Sequence, residues 1–190
     1  MTKTRLYSRA VIATLVLVKT AVVVLLFAGC TSVPDVRIDQ QPAANLSQYK
    51  TFSFYDQLST DRTTNYTSIM SSRLKQSTRD ELERRGYVYS EKNPDLKVNF
   101  NLRVTERQEL RSYPTSSGVF VRRAGLQDVS VINYRQGTVS IDLVDNHMKS
   151  LLWQGIADGR VDDKMIENPG KAVDTVVKQI FVGFPLSRKD

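Results

Sequence analysis

The sequence predicts an α+β fold: a mainly antiparallel sheet with two helices packed on one face, in a single domain. Three observations carry this. Leu96, Val98, Phe100, Leu102 and Val104 alternate without exception with Lys97, Asn99, Asn101, Arg103 and Thr105, the pattern of a strand with one buried and one wetted face. Val139, Ile141 and Leu143 alternate in the same way, Asp145-Asn146-His147 turns the chain, and Leu151 and Trp153 return as the second arm of a hairpin. Two segments of helical period, 65–85 and 169–183, each carry one apolar stripe that needs a sheet to cover it.

In chain order, Val36 and Ile38 with their polar neighbours begin an early strand after a short tether. Tyr49-Lys50-Thr51-Phe52-Ser53-Phe54-Tyr55 mixes aromatic and small polar residues in alternation and reads as the next strand. In 65–85 the stripe is Tyr66, Ile69, Met70, Leu74 and Leu82, with Arg73, Lys75, Arg79, Glu81 and Arg84 toward water and Gly86 as the C-terminal stop. Pro94-Asp95 breaks the chain before the alternating strand. The stretch from Tyr113 to Asp128, with Pro114, Gly118 and Gly125, reads as a long mobile connection. Asn168-Pro169 is an N-cap with a first-turn proline, and Ala172, Val173, Val176, Val177, Ile180 and Phe181 form a broad stripe that ends near Gly183.

The 190 residues carry 27 Lys+Arg against 20 Asp+Glu, a formal charge of +7. Four of those bases, Lys3, Arg5, Arg9 and Lys19, fall in the first 29 residues, which hold no acid, so 23 remain against 20, a balance of +3. The basicity therefore belongs to targeting, and a nucleic-acid partner is not expected. Ala10 to Ala28 is apolar apart from Thr14, Lys19 and Thr20. As a membrane span it would bury Lys19 near its centre at a cost of about 2.5–3.5 kcal/mol. As a secretory signal it has a positive n-region through Lys19, an apolar h-region from Thr20, and small Ala28-Gly29 at a cleavage site. Cys30, the single cysteine, follows at once. Ala28-Gly29-Cys30 resembles the bacterial lipoprotein box, with Phe27 where a leucine is usual. That resemblance implies removal of 1–29, covalent diacylglycerol and an N-acyl chain on Cys30, and residues 30–34 as lipidated N-terminus and tether ahead of a 35–190 domain. Thr31-Ser32 lacks the aspartate associated with inner-membrane retention, which implies an outer-membrane anchor with the domain in the periplasm. Two or three acyl chains suffice for stable attachment without a spanning helix.

Tyr49-Lys50-Thr51-Phe52, Gly86-Tyr87, Pro94-Asp95-Leu96, the stretch from Gly137 to Asp145, Leu152-Trp153-Gln154-Gly155-Ile156-Ala157 and the closing helix resemble the bacterial lipoproteins of the domain-of-unknown-function family DUF4136. The resemblance implies an exported lipoprotein domain without an agreed activity, and it supplies no site residues.

Chemistry is sparse. The sequence has no Gly-rich phosphate loop, no Cys or His pair and no HExxH motif, so no metal or cofactor is expected beyond the lipid on Cys30. Asp142, Asp145 and His147 come nearest to a catalytic or metal-binding set, against a plainer reading of Asp142 as a wet-face residue and Asp145 as a turn former. Asp162-Asp163 and Glu167 could hold a cation or complement a helix dipole. Trp153, with Tyr49, Phe52 and Phe54, could floor a glycan cleft or fill the core. Phe120, Arg122 and Arg123 in the long connection are candidates for a partner surface. The leading expectation is a lipid-tethered, non-enzymatic envelope domain that binds another envelope protein, peptidoglycan or lipopolysaccharide. The alternatives are a small-molecule, lipid or glycan carrier with a cleft between sheet and helices, and an enzyme built on Asp142, Asp145 and His147.

Overall fold

A six-stranded sheet backed by helices on one face organises the chain. In the computed structural model, which describes residues 34–62, 67–114 and 127–187, the elements run β1 (Asp35–Gln40), β2 (Thr51–Phe54), α1 (Ile69–Arg84), β3 (Val88–Tyr89), β4 (Leu96–Pro114), β5 (Gln127–Asp145), β6 (Leu151–Val161), α2 (Asp163–Glu167) and α3 (Pro169–Ile180). The spatial order is β1-β6-β5-β4-β2-β3. Residues 1–29, read above as a signal, Cys30, and Phe120, Arg122 and Arg123 lie outside the described residues.

The sheet is mixed rather than mainly antiparallel. β1, β6, β5 and β4 pair antiparallel in succession, but β2 runs parallel to both β4 and β3. The crossover through α1 carries the chain from β2 to β3, which lies beside it in parallel, and the chain then passes to the other side of β2, where β4 also runs parallel to it. β3 is two residues long, too short for any alternation to show. A third helix, α2, also stands where the sequence predicted only acids ahead of a helix, and Asp162 caps it by accepting from the Met165 amide at 2.8 Å.

Both predicted helices form, α1 starting at Ile69; Ile69 of the predicted stripe is exposed, and Glu81, predicted toward water, is buried. Asn168 stands at the N-cap position of α3 with Pro169 next, but its side chain makes no cap bond. Ser68 Oγ accepts from the Ser71 amide to start α1. Gly86, at φ +89°, stops it: the Gly86 amide bonds the Glu83 carbonyl and the Tyr87 amide bonds the Leu82 carbonyl, a Schellman closure that only glycine adopts without strain. Between helices and sheet lies one continuous core, including Phe52, Phe54, Val98, Phe100, Ile141, Leu143, Trp153, Leu74, Leu82, Val177, Ile180 and Phe181. The alternation read from Leu96 to Val104 is therefore real but ends its burial early: Leu96, Val98 and Phe100 are covered, whereas Leu102 and Val104 are exposed.

The connection predicted from Tyr113 to Asp128 is strand at both ends, Tyr113–Pro114 and Gln127–Asp128, and the rest of it, 115–126, lies outside the described residues. Strand pairing runs without a break from Leu96↔Asp145 to Pro114↔Gln127. β6 accompanies the pair as far as Arg135↔Val161. From Arg107↔Tyr134 outward, β4 and β5 form a two-stranded ribbon of eight residues per strand, about 27 Å long.

Candidate interaction surface

The polar residues that the sequence singled out do not converge. Asp142 lies on the face of β5 turned away from the helices, where it accepts from Gln154 Nε2 at 2.7 Å and from Asn101 Nδ2 at 3.2 Å. Asp145, three residues on and thus on the opposite face, is buried and holds the β5–β6 turn, accepting the His147 and Met148 amides at 2.8 Å each and the Tyr49 phenol at 2.9 Å. His147 is exposed in the turn. Burial works to raise the Asp145 carboxyl, but the Met148 amide, the Tyr49 hydroxyl, the His147 amide and the charge on His147 outweigh it, so the group sits below its ordinary value. It is a structural carboxylate kept ionised. Among the described residues no group of His, Cys, Asp and Glu is placed to hold a metal ion.

Trp153 is core, not a cleft floor. It is 2% exposed and packs against Phe181, at 5.4 Å between ring centroids, and edge-on against Phe184 at 5.0 Å. Gly155 lets the indole and Ile180 close over the sheet, since a Cβ there would overlap Ile180 Cγ2 and the Trp153 ring. Phe52 and Phe54 are buried on β2 against Tyr89 and Phe100, and Tyr49 is partly exposed. The interval between helices and sheet is filled with side chains, and a ligand would have to meet the outside of the molecule.

Three outside features are available. The sheet face opposite the helices is polar, with Asn101 exposed and Lys97, Asn99, Asp142 and Gln154 half-buried. β1 is an edge of the sheet, with Arg37, Ile38 and Asp39 exposed. The ribbon has an apolar face near its end: Leu110 and Val131 are directly paired, Val129 follows on the same face, and they are 70%, 54% and 57% exposed. The opposite face of its root is polar, with Arg160 stacked over the Tyr134 ring at 4.0 Å and ion-paired to Glu109. The sequence reading missed this element because 105–112 is dominated by Glu, Arg and Gln. The one available sign was the alternation of Val129 and Val131 opposite Leu110.

A family model described as "Domain of unknown function (DUF4136)" matches residues 36–186, nearly the whole of the described fold. The chain belongs to this family. Among solved structures, it is similar to a PDZ domain protein from Parabacteroides distasonis, at 12% identity and a TM-score of 0.55 over 83% of this chain and 36% of the other. The chain thus spans about a third of that protein, and the likeness is one of fold. It is also similar to a PelC dodecamer subunit from Paraburkholderia phytofirmans, at 11% identity and a TM-score of 0.44 over 82% of this chain and 99% of the other. No protein of curated function matches it.

The segments that carried the family resemblance meet in space. Thr51 of the Tyr49-Lys50-Thr51-Phe52 segment bonds Asp95 of Pro94-Asp95-Leu96, and Tyr49 bonds Asp145 at the end of the Gly137–Asp145 stretch. Ser187, after α3, donates to the Tyr49 carbonyl through its hydroxyl and to the Arg85 carbonyl through its amide. These contacts join strand ends to one another.

Proposed function

We propose that this DUF4136 protein is an envelope lipoprotein, anchored to the outer membrane through diacylglycerol and an N-acyl chain on Cys30, whose 35–190 domain faces the periplasm and acts by binding another envelope component rather than by catalysis. The anchor is supported by the signal-like segment ending at Gly29 and by the lone cysteine after it. The observation that carries the binding reading is the filled interior: Trp153, Phe181 and Ile180 occupy the space a carrier would need to keep open. The edge of β1 and the polar sheet face remain for an envelope protein, peptidoglycan or lipopolysaccharide. An unpaired strand edge presents the backbone groups by which an extended partner segment is added to a sheet.

Two measurements test this. Radiolabelled palmitate should enter the parent protein and not Cys30→Ala, and an equal label in both would refute the anchor. A photo-reactive amino acid at Asp39 on the β1 edge, or at Asn101 on the open face, should give specific adducts in intact cells. Discrete peptides would identify a protein partner, and material that collapses on muramidase digestion would identify peptidoglycan. The absence of adducts from both positions would overturn the binding reading. His147→Ala should leave every cellular phenotype unchanged, and a loss there would favour the enzyme.

A further inference from the structure

We infer that the β4–β5 ribbon lies along the surface of the bilayer that holds the Cys30 lipid, with the Leu110–Val129–Val131 face turned into it. The inference rests on the lipid-anchor reading above and follows from where the tether joins the sheet. Asp35, the first residue of β1, shares a row with Asp158, Thr138 and Arg103. Pro34, one residue earlier, lies over Gly159, which is paired with Gly137 and through it with Val104. The chain therefore enters the domain at the root of the ribbon. Pro34 follows Cys30 by four residue steps, so an acylated Cys30 keeps the membrane surface within about 14 Å of that root.

Two lengths exclude the upright orientations. From Val104 to Pro114 the ribbon projects ten residues, about 34 Å; from Gly137 to Asp145 the body extends eight residues the other way, about 27 Å. With the ribbon pointing away from the membrane, the tether would have to span the body, roughly twice its reach. With the ribbon pointing straight in, its end would be forced about 20 Å into lipid, carrying open strand edges where hydrocarbon satisfies no backbone group. A ribbon lying along the surface meets both limits.

The side chains suit that placement. Leu110, Val129 and Val131 form an apolar patch exposed at the end of an isolated ribbon. Alternation puts Arg135 on the same face as Val131, while Arg103, Arg107 and Arg111 fall on the opposite face, where Arg111 pairs with Glu109 at 2.9 Å. The placement at the headgroup boundary therefore rests on the exposed Leu110, Val129 and Val131, with one arginine on their face.

The test uses the acylated full-length protein reconstituted in phosphatidylethanolamine/phosphatidylglycerol vesicles whose acyl chains are brominated near the headgroup. Trp153, the single native tryptophan, is buried and gives the baseline. Leu110→Trp and, in a second protein, Val131→Trp should lose about half of the added emission on brominated vesicles, as expected for a side chain at the acyl boundary. Met148→Trp, in the exposed turn at the far end of the sheet, should lose none. Vesicle flotation of the same samples reports the anchor separately. If the proteins float and neither ribbon probe is quenched, or the Met148→Trp probe is quenched more, the ribbon placement is overturned and the anchor stands. If they do not float, both readings fall.

Discussion

Thr51 and Asp95 hold each other by reciprocal hydrogen bonds across 44 residues of chain: Thr51 Oγ1 donates to Asp95 Oδ2 at 2.9 Å and accepts from the Asp95 amide at 2.9 Å. The same carboxylate oxygen takes the Thr51 and Lys50 amides at 2.8 and 2.9 Å. Three residue pairs of parallel ladder between β2 and β4 would be weak alone. The Asp95 carboxylate supplies the strand end with acceptors it would otherwise lack, which fixes the register Phe52↔Leu96 on which both phenylalanines of β2 depend for burial. Asp95→Ala should destabilise the protein by about 1–3 kcal/mol, because amide donors lose their partner. Urea unfolding followed by circular dichroism checks it, and a variant as stable as the parent would show that the ladder holds without the carboxylate.

Acid should destabilise this protein through three carboxylates. Asp95, Asp145 and Asp61 are all held below their ordinary values. In each, burial pushes the carboxyl up and hydrogen bonds more than reverse it: the Lys50 and Thr51 amides and the Thr51 hydroxyl at Asp95; the Met148 amide, the Tyr49 hydroxyl and the His147 amide at Asp145; the Ser71 hydroxyl and the Ser68 amide and hydroxyl at Asp61. A carboxylate with a lowered folded-state pKa binds fewer protons in the folded state than in the unfolded one. Its contribution is thus complete above the unfolded value, about 3.9, and is lost as pH falls through the lower folded value. Unfolding free energy measured from pH 6 down to pH 2 should decline steadily below about pH 5. Asp145→Asn should flatten part of that slope, and an unchanged slope would remove Asp145 from the account.

Gly155→Ala should be among the more damaging single-methyl changes in the fold. The new Cβ would press on Ile180 Cγ2 and on the Trp153 indole, two side chains buried from opposite sides of the core. Neither can withdraw: Trp153 is fixed between Phe181 and Phe184, and Ile180 sits in the last turn of α3. Overpacking of this kind costs about 1–3 kcal/mol. Thermal unfolding, with the near-ultraviolet dichroism of Trp153 as reporter, measures it, and parental stability would mean that α3 can slide away from β6.

How far the sequence disclosed the fold can be judged residue by residue. Alternation found β4, β5 and β6 because Val98, Phe100, Ile141 and Leu143 face a real core, and Gly86 marked the end of α1 because its backbone conformation demands glycine. The parallel placement of β2 was hidden, since its ladders are short, three residue pairs with β4 and two with β3, and carry no period that tells parallel from antiparallel. The ribbon was hidden for a different reason. Beyond Val104 both faces meet water, so Glu106, Arg107 and Gln108 show no apolar alternation although their backbone is fully paired. The Asp142–Asp145–His147 set failed for a reason the sequence did hold, as residues 142 and 145 of one strand point to opposite faces. Trp153 fitted both a cleft and a core, and only its neighbours on α3 could decide between them.

The contact between the ends of α1 and α3 runs through Glu81, and its removal should reach beyond one ion pair. The Glu81 carboxylate is nearly buried, with its side chain 4% exposed, and is held by Arg84 at 2.7 Å and by Arg85. Arg85 also donates to the Phe181 carbonyl at 2.7 Å and lies over the Phe181 ring at 5.5 Å, so one guanidinium joins the end of α1 to the carbonyl that ends α3. Glu81→Ala leaves Arg85, largely buried, without its counter-charge, and the cost of breaking such a pair is about 3–5 kcal/mol. Arg84, mostly exposed, contributes little to that figure. A double-mutant cycle of Glu81→Ala and Arg85→Ala separates the pair from its surroundings. Coupling above about 1 kcal/mol that persists in high salt is expected for a buried pair, whereas coupling that salt abolishes would place the interaction in solvent and make the Arg85–Phe181 contact independent of Glu81.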